Sequence, residues 1–515
     1  MLPNYDVIVV GAGHAGCEAA AAAANLGSTV LLISMDMTRF ASMSCNPAIG
    51  GIAKGQIVRE IDALGGYTGI VTDFSMLQYK MLNKSKGPAM WSPRAQCDRV
   101  LFTSKWREIL ESIQNLDFWQ DNVISLIIDN GNVVGVKTSL NISIYGKSIV
   151  LTNGTFLNGK LHFGTIQLTG GRISEPASFF LSDQLKEFGI KVGRMKTGTP
   201  VRIDGRTIDF SKCIEQPGDT KINSFSFLPD TVFLKKQLSC FLVYTNPNVH
   251  EILKQSFSES PMYNGTITSI GPRYCPSIET KIVTFASKNS HQLFLEPEGF
   301  NTCEYYLNGF SSSLPPKAQY NALKQIPGLE NCKIFKPGYA IEYDYFDPKQ
   351  LNATLESKVL SNLFFAGQIN GTTGYEEAAG QGIIAGINAH LKAKGKEGFT
   401  LKRDEAYIGV LIDDLITKGV NEPYRMFTSR AEYRTLLRQD NADERLTLKS
   451  NTIGLAKDTR KHILENKYSK ASILTKHIRS LSVKPSDINP ILVELNSTTI
   501  NQNYKLNQIL SRPEV

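Results

Sequence analysis

The first apolar run, Tyr5-Asp6-Val7-Ile8-Val9-Val10, is β-branched and of strand length. Its near-continuous hydrophobicity predicts a parallel strand buried on both faces. Gly11-Ala12-Gly13-His14-Ala15-Gly16 follows, and then an alanine-rich stretch over 18–25 with high helix propensity. Gly27 fits the end of that helix, and Ser28–Ser34 reads as a second strand, which completes a βαβ unit. Residues 120–151 alternate short apolar runs with turn formers, notably Asp129-Asn130-Gly131-Asn132, and predict a β-meander. Residues 200–335 are rich in turn formers, Pro and aromatics without long helical periodicity, as an inserted mixed domain would be. Strand, loop and helix return over 363–389, and from about 398 the pattern is helical and charged.

The glycine spacing carries a backbone argument. Gly11 permits a tight turn, Gly13 lets the chain approach a pyrophosphate, and Gly16 allows close packing of helix on strand. The pyrophosphate then meets free N–H groups and the positive end of the helix dipole. The acidic residue expected at the end of the second strand to hold a ribose is missing. Ser34 stands there, with Asp36 two residues on, and the choice between them stays open. A second match is Leu363-Phe364-Phe365-Ala366-Gly367-Gln368, then Gly371, Gly374 and a helix near Glu376–Ala389, a way to bring a second helix N-terminus toward a flavin.

The pattern therefore predicts an α/β chain: an FAD-binding two-dinucleotide-fold (glutathione-reductase-like) domain with an inserted mixed α/β domain and a C-terminal helical region. The expected boundaries are 1–200 and 335–397 for the two parts of the FAD-binding domain, 201–334 for the insert and 398–515 for the helical region. A chain of 515 residues leaves room for roughly two to four domains. With 42% hydrophobic and 20% charged residues, wholesale disorder is excluded. No window approaches the length of uninterrupted apolar residues that spans a membrane, and Asp6 and the glycine motif argue against a signal peptide. Net charge is +8, and residues 401–515 hold 19 Lys/Arg against 14 Asp/Glu, a mild basic bias compatible with nucleic acid. Cysteines stand at 17, 45, 97, 213, 240, 275, 303 and 332; none forms a CxxC pair, so neither a metal site nor a thioredoxin-type motif is expected.

Several long polar strings carry a more specific resemblance. These are Ser44-Cys45-Asn46-Pro47-Ala48-Ile49-Gly50-Gly51, Lys196-Thr197-Gly198-Thr199-Pro200, Gly271-Pro272-Arg273-Tyr274-Cys275-Pro276-Ser277-Ile278-Glu279, Leu295-Glu296-Pro297-Glu298-Gly299, Pro337–Asp344, Gly367–Glu377 and Glu422–Arg434. The chain resembles, to about residue 450, the family of the tRNA uridine 5-carboxymethylaminomethyl modification enzyme MnmG, also called GidA.

The resemblance implies a cytoplasmic homodimeric FAD enzyme that assembles with a GTPase, MnmE, as a heterotetramer. It implies no membrane association. The pair would install an aminomethyl or carboxymethylaminomethyl group on carbon 5 of the wobble uridine, in the tRNA anticodon arm. Methylenetetrahydrofolate would be the one-carbon donor, NADH the reductant, and glycine or ammonium the amine. FAD contacts would fall on Gly11, Ala12, Gly13, His14, Ala15, Gly16, Val123, Ser178 and Gln368. The nicotinamide stretch would be Gly271, Pro272, Arg273, Tyr274, Cys275, Pro276, Ser277, Ile278, Glu279, Thr280, Lys281, Ile282, Val283, Thr284 and Phe285. Relatives usually run on in a helical C-terminal domain used by partner and tRNA, so this chain is expected to be truncated. Trp91 stands where many relatives are expected to carry a basic residue.

Carbon 5 of uracil is a weak nucleophile until a thiolate adds at carbon 6, and a second group must then handle the carbon 5 proton. Cys45, before a Gly-Gly turn, and Cys275, after Arg273 and Tyr274, are the two candidates, and the sequence leaves open which one attacks. The other six cysteines are expected to be buried, inert thiols. Arg430, Arg434 and Arg438 recur every four residues, which on a helix gives one cationic face for tRNA phosphates or a solvated face paired with acids. The competing readings are a folate- and FAD-dependent tRNA uridine methyltransferase, a fumarate-reductase-like or disulfide-type flavin oxidoreductase, and a non-catalytic flavin-stabilised scaffold.

Overall fold

Strand β1 (Tyr5–Val10) lies in the middle of a parallel sheet and is buried along its whole length, as its unbroken apolar pattern requires. The computed structural model describes residues 3–234, 236–269, 271 and 276–515. On one side β1 pairs with β2 (Val30–Ser34), which pairs in turn with Leu116–Gln120; on the other it pairs with Ser143–Leu151, which holds Leu363–Phe365. Helix α1 (His14–Asn25) connects β1 to β2, and Gly27, at φ +97°, ends the connection where an L side chain would be strained. The predicted βαβ unit is therefore present.

The meander is present as Val123–Asp129, Asn132–Thr138 and Ser143–Leu151. The last strand serves two sheets. Ser143–Tyr145 close the antiparallel meander, and Gly146–Leu151 continue into the parallel sheet beside β1. Gly146 sits at the changeover, where a Cβ would come within 2.8 Å of Ile8.

Helix Tyr375–Ala393 packs directly on α1, and small residues on both sides explain how closely. A Cβ at Gly382 would lie 2.1 Å from the Ala15 carbonyl oxygen, and one at Gly386 2.3 Å from that of Ala19. The alanine run of α1 is thus a packing surface as well as a helix former, since larger side chains would hold the backbones apart.

A second, antiparallel sheet has the thirteen-residue strand Val192–Asp204 at its heart. Val192–Thr199 pair with Tyr339–Phe346, and Pro200–Asp204 with Glu304–Ser311. The register shifts between Pro200 and Arg202, where proline cannot donate to the ladder. Beyond it, Gln292–Pro297, Cys240–Tyr244 and helices Pro247–Gln255, Ile278–Thr284 and Pro316–Leu323 enclose an apolar cluster that includes Val201, Leu253, Ile278, Leu295 and Phe310.

The chain forms two compact units, the first ending at Ala456 and the second running Lys457–Val515. Helices Tyr407–Lys418 and Ala442–Thr452 belong to the first. The buried Glu60 carboxylate accepts from the backbone N–H groups of Tyr407 and Ile408 and from Arg445, so it caps the one helix and ties down the other. The second unit holds helices Asp458–Ser480, Pro485–Glu494 and Leu506–Leu510, with a small core of Leu492, Ile500 and Ile509. No described helix is long and apolar enough to cross a membrane.

Candidate active site

At the carboxyl ends of β1 and β2 lies a cavity of about 520 Å³. Gly11, Ala12 and Gly13 form one wall and Ile33 to Asp36 the next, and Gln120 to Val123, Thr152 to Gly154 and Pro176 with Ser178 are among the other lining residues. This is where ligands bind in open parallel sheets. Gly13 heads α1 with no side-chain cap, so first-turn N–H groups are left for an anion.

The three glycines play different parts. Gly11 has φ +102°, and a Cβ there would lie 2.9 Å from the Thr152 carbonyl oxygen. At Gly16 a Cβ would lie 1.8 Å from the Gly11 oxygen, which forbids any side chain. Gly13 has an ordinary φ of −76° and no protein atom within 4 Å of where its Cβ would be. Among the described residues nothing crowds position 13, which leaves the space above the helix start open.

Of the other residues expected at FAD, Val123 and Ser178 line the cavity, and so do both ribose candidates. Ser34 donates to the Asp36 carbonyl, while the Asp36 carboxylate accepts from Thr38. Ala15 and Gly16 continue into the helix. His14 is buried and stacks on Tyr375 at 4.3 Å; burial, with Arg172 and Lys54 adding to it, pushes its imidazole down to about 3, so it is neutral. Gln368 lies off the cavity wall and donates to the Tyr343 hydroxyl at 2.9 Å. Its neighbour Gly367 abuts α1, with room of only 3.1 Å between an added Cβ and that of Ala15.

Tyr375 opens the second helix, and the loop before it is fastened by buried charge. Lys54 Nζ lies 2.9 Å from Glu376 and 3.2 Å from Glu377, while Gly50 N–H donates to Glu376 and Met426 N–H to Glu377. Thr373 N–H and Tyr424 N–H add backbone bonds across to the 420s. The Glu422–Arg434 string thus earns its polarity by docking on the second glycine loop.

Cys45 sits beside this helix start. Its backbone N–H donates to the Tyr375 hydroxyl at 2.7 Å, and the preceding carbonyl, of Ser44, accepts from Arg202 at 2.8 Å. The sulfur lies 2.9 Å from the Tyr306 hydroxyl and 3.8 Å from the Gly198 carbonyl oxygen. Arg202 is buried, pairs with Glu298 at 3.0 Å and lies 4.7 Å over the Tyr306 ring. Tyr375 was within a quoted motif; Tyr306 and Arg202 arrive from distant strands, and no local signal marks them.

Cys275, Pro272, Arg273 and Tyr274 lie outside the described residues. Gly271 stands against Lys196, whose Nζ would be 3.4 Å from an added Cβ. Ser277 caps helix Ile278–Thr284 through Thr280 N–H. Ile278 and Ile282 face the insert's own core, Glu279 accepts from Ser312 and Ser313, and Lys281 donates to the Gly309 carbonyl. Val283 and Phe285 are exposed.

Two expectations are corrected. Arg430, Arg434 and Arg438 share no helix face: only Thr428–Arg430 forms a short 3-10 turn, and the chain then runs through turns to Asp440. Docking on the 371–374 loop overrides the four-residue spacing. Arg430 folds back to donate to the Arg425 carbonyl and lies 4.2 Å over the Tyr424 ring, Arg438 pairs with Asp440, and Arg434 is exposed. Second, the remaining cysteines are not uniformly buried. Cys17, Cys97, Cys240 and Cys332 are, and burial pushes the last three thiols up to about 12, 12 and 11, but Cys213 and Cys303 are half-exposed. Trp91 is partly exposed and donates to the Lys84 carbonyl.

Paired helix N-termini over a parallel sheet, with an open cavity above the glycine-rich turn, define the class: a flavoprotein of the two-dinucleotide fold. The comparisons narrow this to a family. Residues 6–397 match the family model described as Glucose inhibited division protein A. The chain is 61% identical over 512 residues to the tRNA uridine 5-carboxymethylaminomethyl modification enzyme MnmG of Bacteroides fragilis, covering 99% of this chain and 82% of that one. It is 62% identical over 511 residues to the MnmG of Parabacteroides distasonis, with the same coverage. Two crystal forms of Aquifex aeolicus GidA superpose with a TM-score of 0.90 at 45% and 46% identity, covering 98% of this chain and 81% and 87% of theirs. The chain belongs to the glucose-inhibited division protein A family, which is FAD-dependent.

Proposed function

We propose that this chain is the FAD-dependent enzyme that modifies carbon 5 of the wobble uridine in tRNA, adding an aminomethyl or carboxymethylaminomethyl group. The names of its relatives support the reaction class, and the setting of Cys45 carries the chemistry. The cavity fits the cofactor: α1 offers uncapped N–H groups and Gly13 leaves space that no protein atom fills. Gly11, Ala12, Gly13, Val123, Ser178 and either Ser34 or Asp36 would hold FAD, which when bound supplies redox chemistry that side chains lack.

The protein's own part is nucleophilic catalysis. Cys45 Sγ bonds to carbon 6 as the C5=C6 π electrons shift toward the C4 carbonyl, which makes carbon 5 an enolate-like nucleophile for the methylene of methylenetetrahydrofolate; tetrahydrofolate then leaves and the amine nitrogen bonds to the methylene in its place. A second group takes the carbon 5 proton, a part that falls to Cys275, the other cysteine the family resemblance marks, once Cys45 is read as the nucleophile, and the Sγ–C6 bond breaks to restore the ring. The two hydrogen bonds on the Ser44 carbonyl and Cys45 N–H fix the peptide that carries the sulfur, so little ordering is left for the reaction. NADH as reductant, glycine or ammonium as amine, a homodimer working with the GTPase MnmE, and a cytoplasmic location complete the reading.

The test is modified-nucleoside content of tRNA in cells whose only copy is a variant. Cys45→Ser and Cys275→Ser should each lose most modification while keeping the flavin, and Cys17→Ser should keep both. Near-normal modification by Cys45→Ser removes it from the chemistry, and a plain methyluridine product would favour the methyltransferase reading.

A further inference from the structure

We propose that Tyr306 is a positioning residue for Cys45: its hydroxyl donates to the sulfur and holds it as the attacking thiolate. This rests on the reading that Cys45 is the nucleophile. Tyr306 stands on strand Glu304–Ser311, paired on both sides, and is 3% exposed, so its ring is held in place beside the sulfur. The sulfur has two polar neighbours among those described, and they suit opposite states. A thiol can donate to the Gly198 carbonyl at 3.8 Å, whereas a thiolate is repelled by that oxygen and can only accept, which the phenol at 2.9 Å allows.

The cation beside the pair supports Tyr306 as the donor. Arg202 lies 4.7 Å over the Tyr306 ring, and a cation on that face draws density from the phenol and strengthens it as a donor. The guanidinium cannot wander, because it also bonds Glu298, Thr199, the Pro200 carbonyl and the Ser44 carbonyl. Burial opposes its charge, and Glu298 first, then Tyr306 and Cys45, outweigh that and keep it protonated. Among the described residues the other titratable groups facing Cys45 are Tyr375, from the second helix, and Tyr339, both kept neutral by burial. Glu298, the carboxylate behind Arg202, is neutralised by Arg202 and Arg99 together. The thiol proton passes to water before substrate arrives, and Tyr306 keeps its own proton.

The experiment follows alkylation of Cys45 by iodoacetamide against pH in the full FAD-loaded chain, read on the Cys45 peptide by mass spectrometry. A hydrogen bond to a charged group is strong, so Tyr306→Phe should slow alkylation about tenfold at the acidic end, with the two curves meeting at high pH. tRNA modification should fall by a similar factor and recover as pH is raised, which a packing defect would not do. Fluorotyrosine at position 306, a stronger donor of nearly the same size, should move the curve to lower pH and serves if Tyr306→Phe folds poorly. Superimposed alkylation curves while Cys45→Ser is inactive overturn the role of Tyr306 alone. Normal modification by Cys45→Ser overturns the reading beneath it, whatever the alkylation curves show.

Discussion

Gly13→Ala and Gly16→Ala form a matched pair that separates a glycine required by a ligand from one required by the protein. At position 13 the new methyl group meets no protein atom within 4 Å, and φ is −76°, which alanine adopts freely. The cost to the apoprotein is that of an alanine N-cap in place of glycine, about 0.5–1 kcal/mol, offset by a similar loss of unfolded-chain entropy. The methyl group occupies the space a pyrophosphate would use above the helix start. Losing one or two charge-assisted N–H bonds, about 1.5–3 kcal/mol each, weakens flavin binding by roughly ten-fold to twenty-thousand-fold. At position 16 the methyl would lie 1.8 Å from the Gly11 oxygen and 2.8 Å from Thr152 Oγ1, so α1 must lift off β1. Overpacking of that kind costs about 1–3 kcal/mol or more. The assays are visible flavin absorbance per chain after purification and the thermal midpoint of flavin-free protein. Gly13→Ala should be colourless with a near-normal apo midpoint, and Gly16→Ala should have a lowered one. Full flavin in Gly13→Ala, or an apo midpoint depressed as much as in Gly16→Ala, refutes the reasoning.

Two further predictions concern charge. His14 titrates at 6.5 when unfolded and only near 3 when folded, so the unfolded chain takes up its proton first and stability drains away as pH falls from 6.5 toward 3. In the flavin-free protein, His14→Phe, which can still stack on Tyr375, should flatten that part of the stability–pH curve by several kcal/mol across the window, as urea midpoints at stepped pH will show. Arg434→Ala should lower the log–log salt slope of tRNA binding by about one. Arg430→Ala, which loses a bond to the Arg425 carbonyl and its place over Tyr424, should instead lower stability by about 1–2 kcal/mol; an unchanged slope in Arg434→Ala removes it from the RNA surface.

What the sequence by itself determined is local. Val7–Val10 had to be a buried strand, the alanine run a helix, and Gly27 its end, because apolar continuity, helix propensity and a positive φ act within a few residues. The glycine spacing at 11 and 16 also held its meaning, since both roles are played against the adjoining turn of backbone. Arg430, Arg434 and Arg438 show where such reasoning stops: a four-residue period is only a helix if the backbone is free to be one, and here the chain is pinned at Thr373 and Tyr424. The same holds for Glu60, which reads as a surface acid until two N–H groups of one helix start and Arg445 are found on it. The setting of Cys45 was wholly a tertiary decision. The partners of this segment come from positions 202, 306 and 375, on three elements that share no local pattern, and a hydrogen bond between residues over 150 positions apart leaves no trace in the order of residues along the chain.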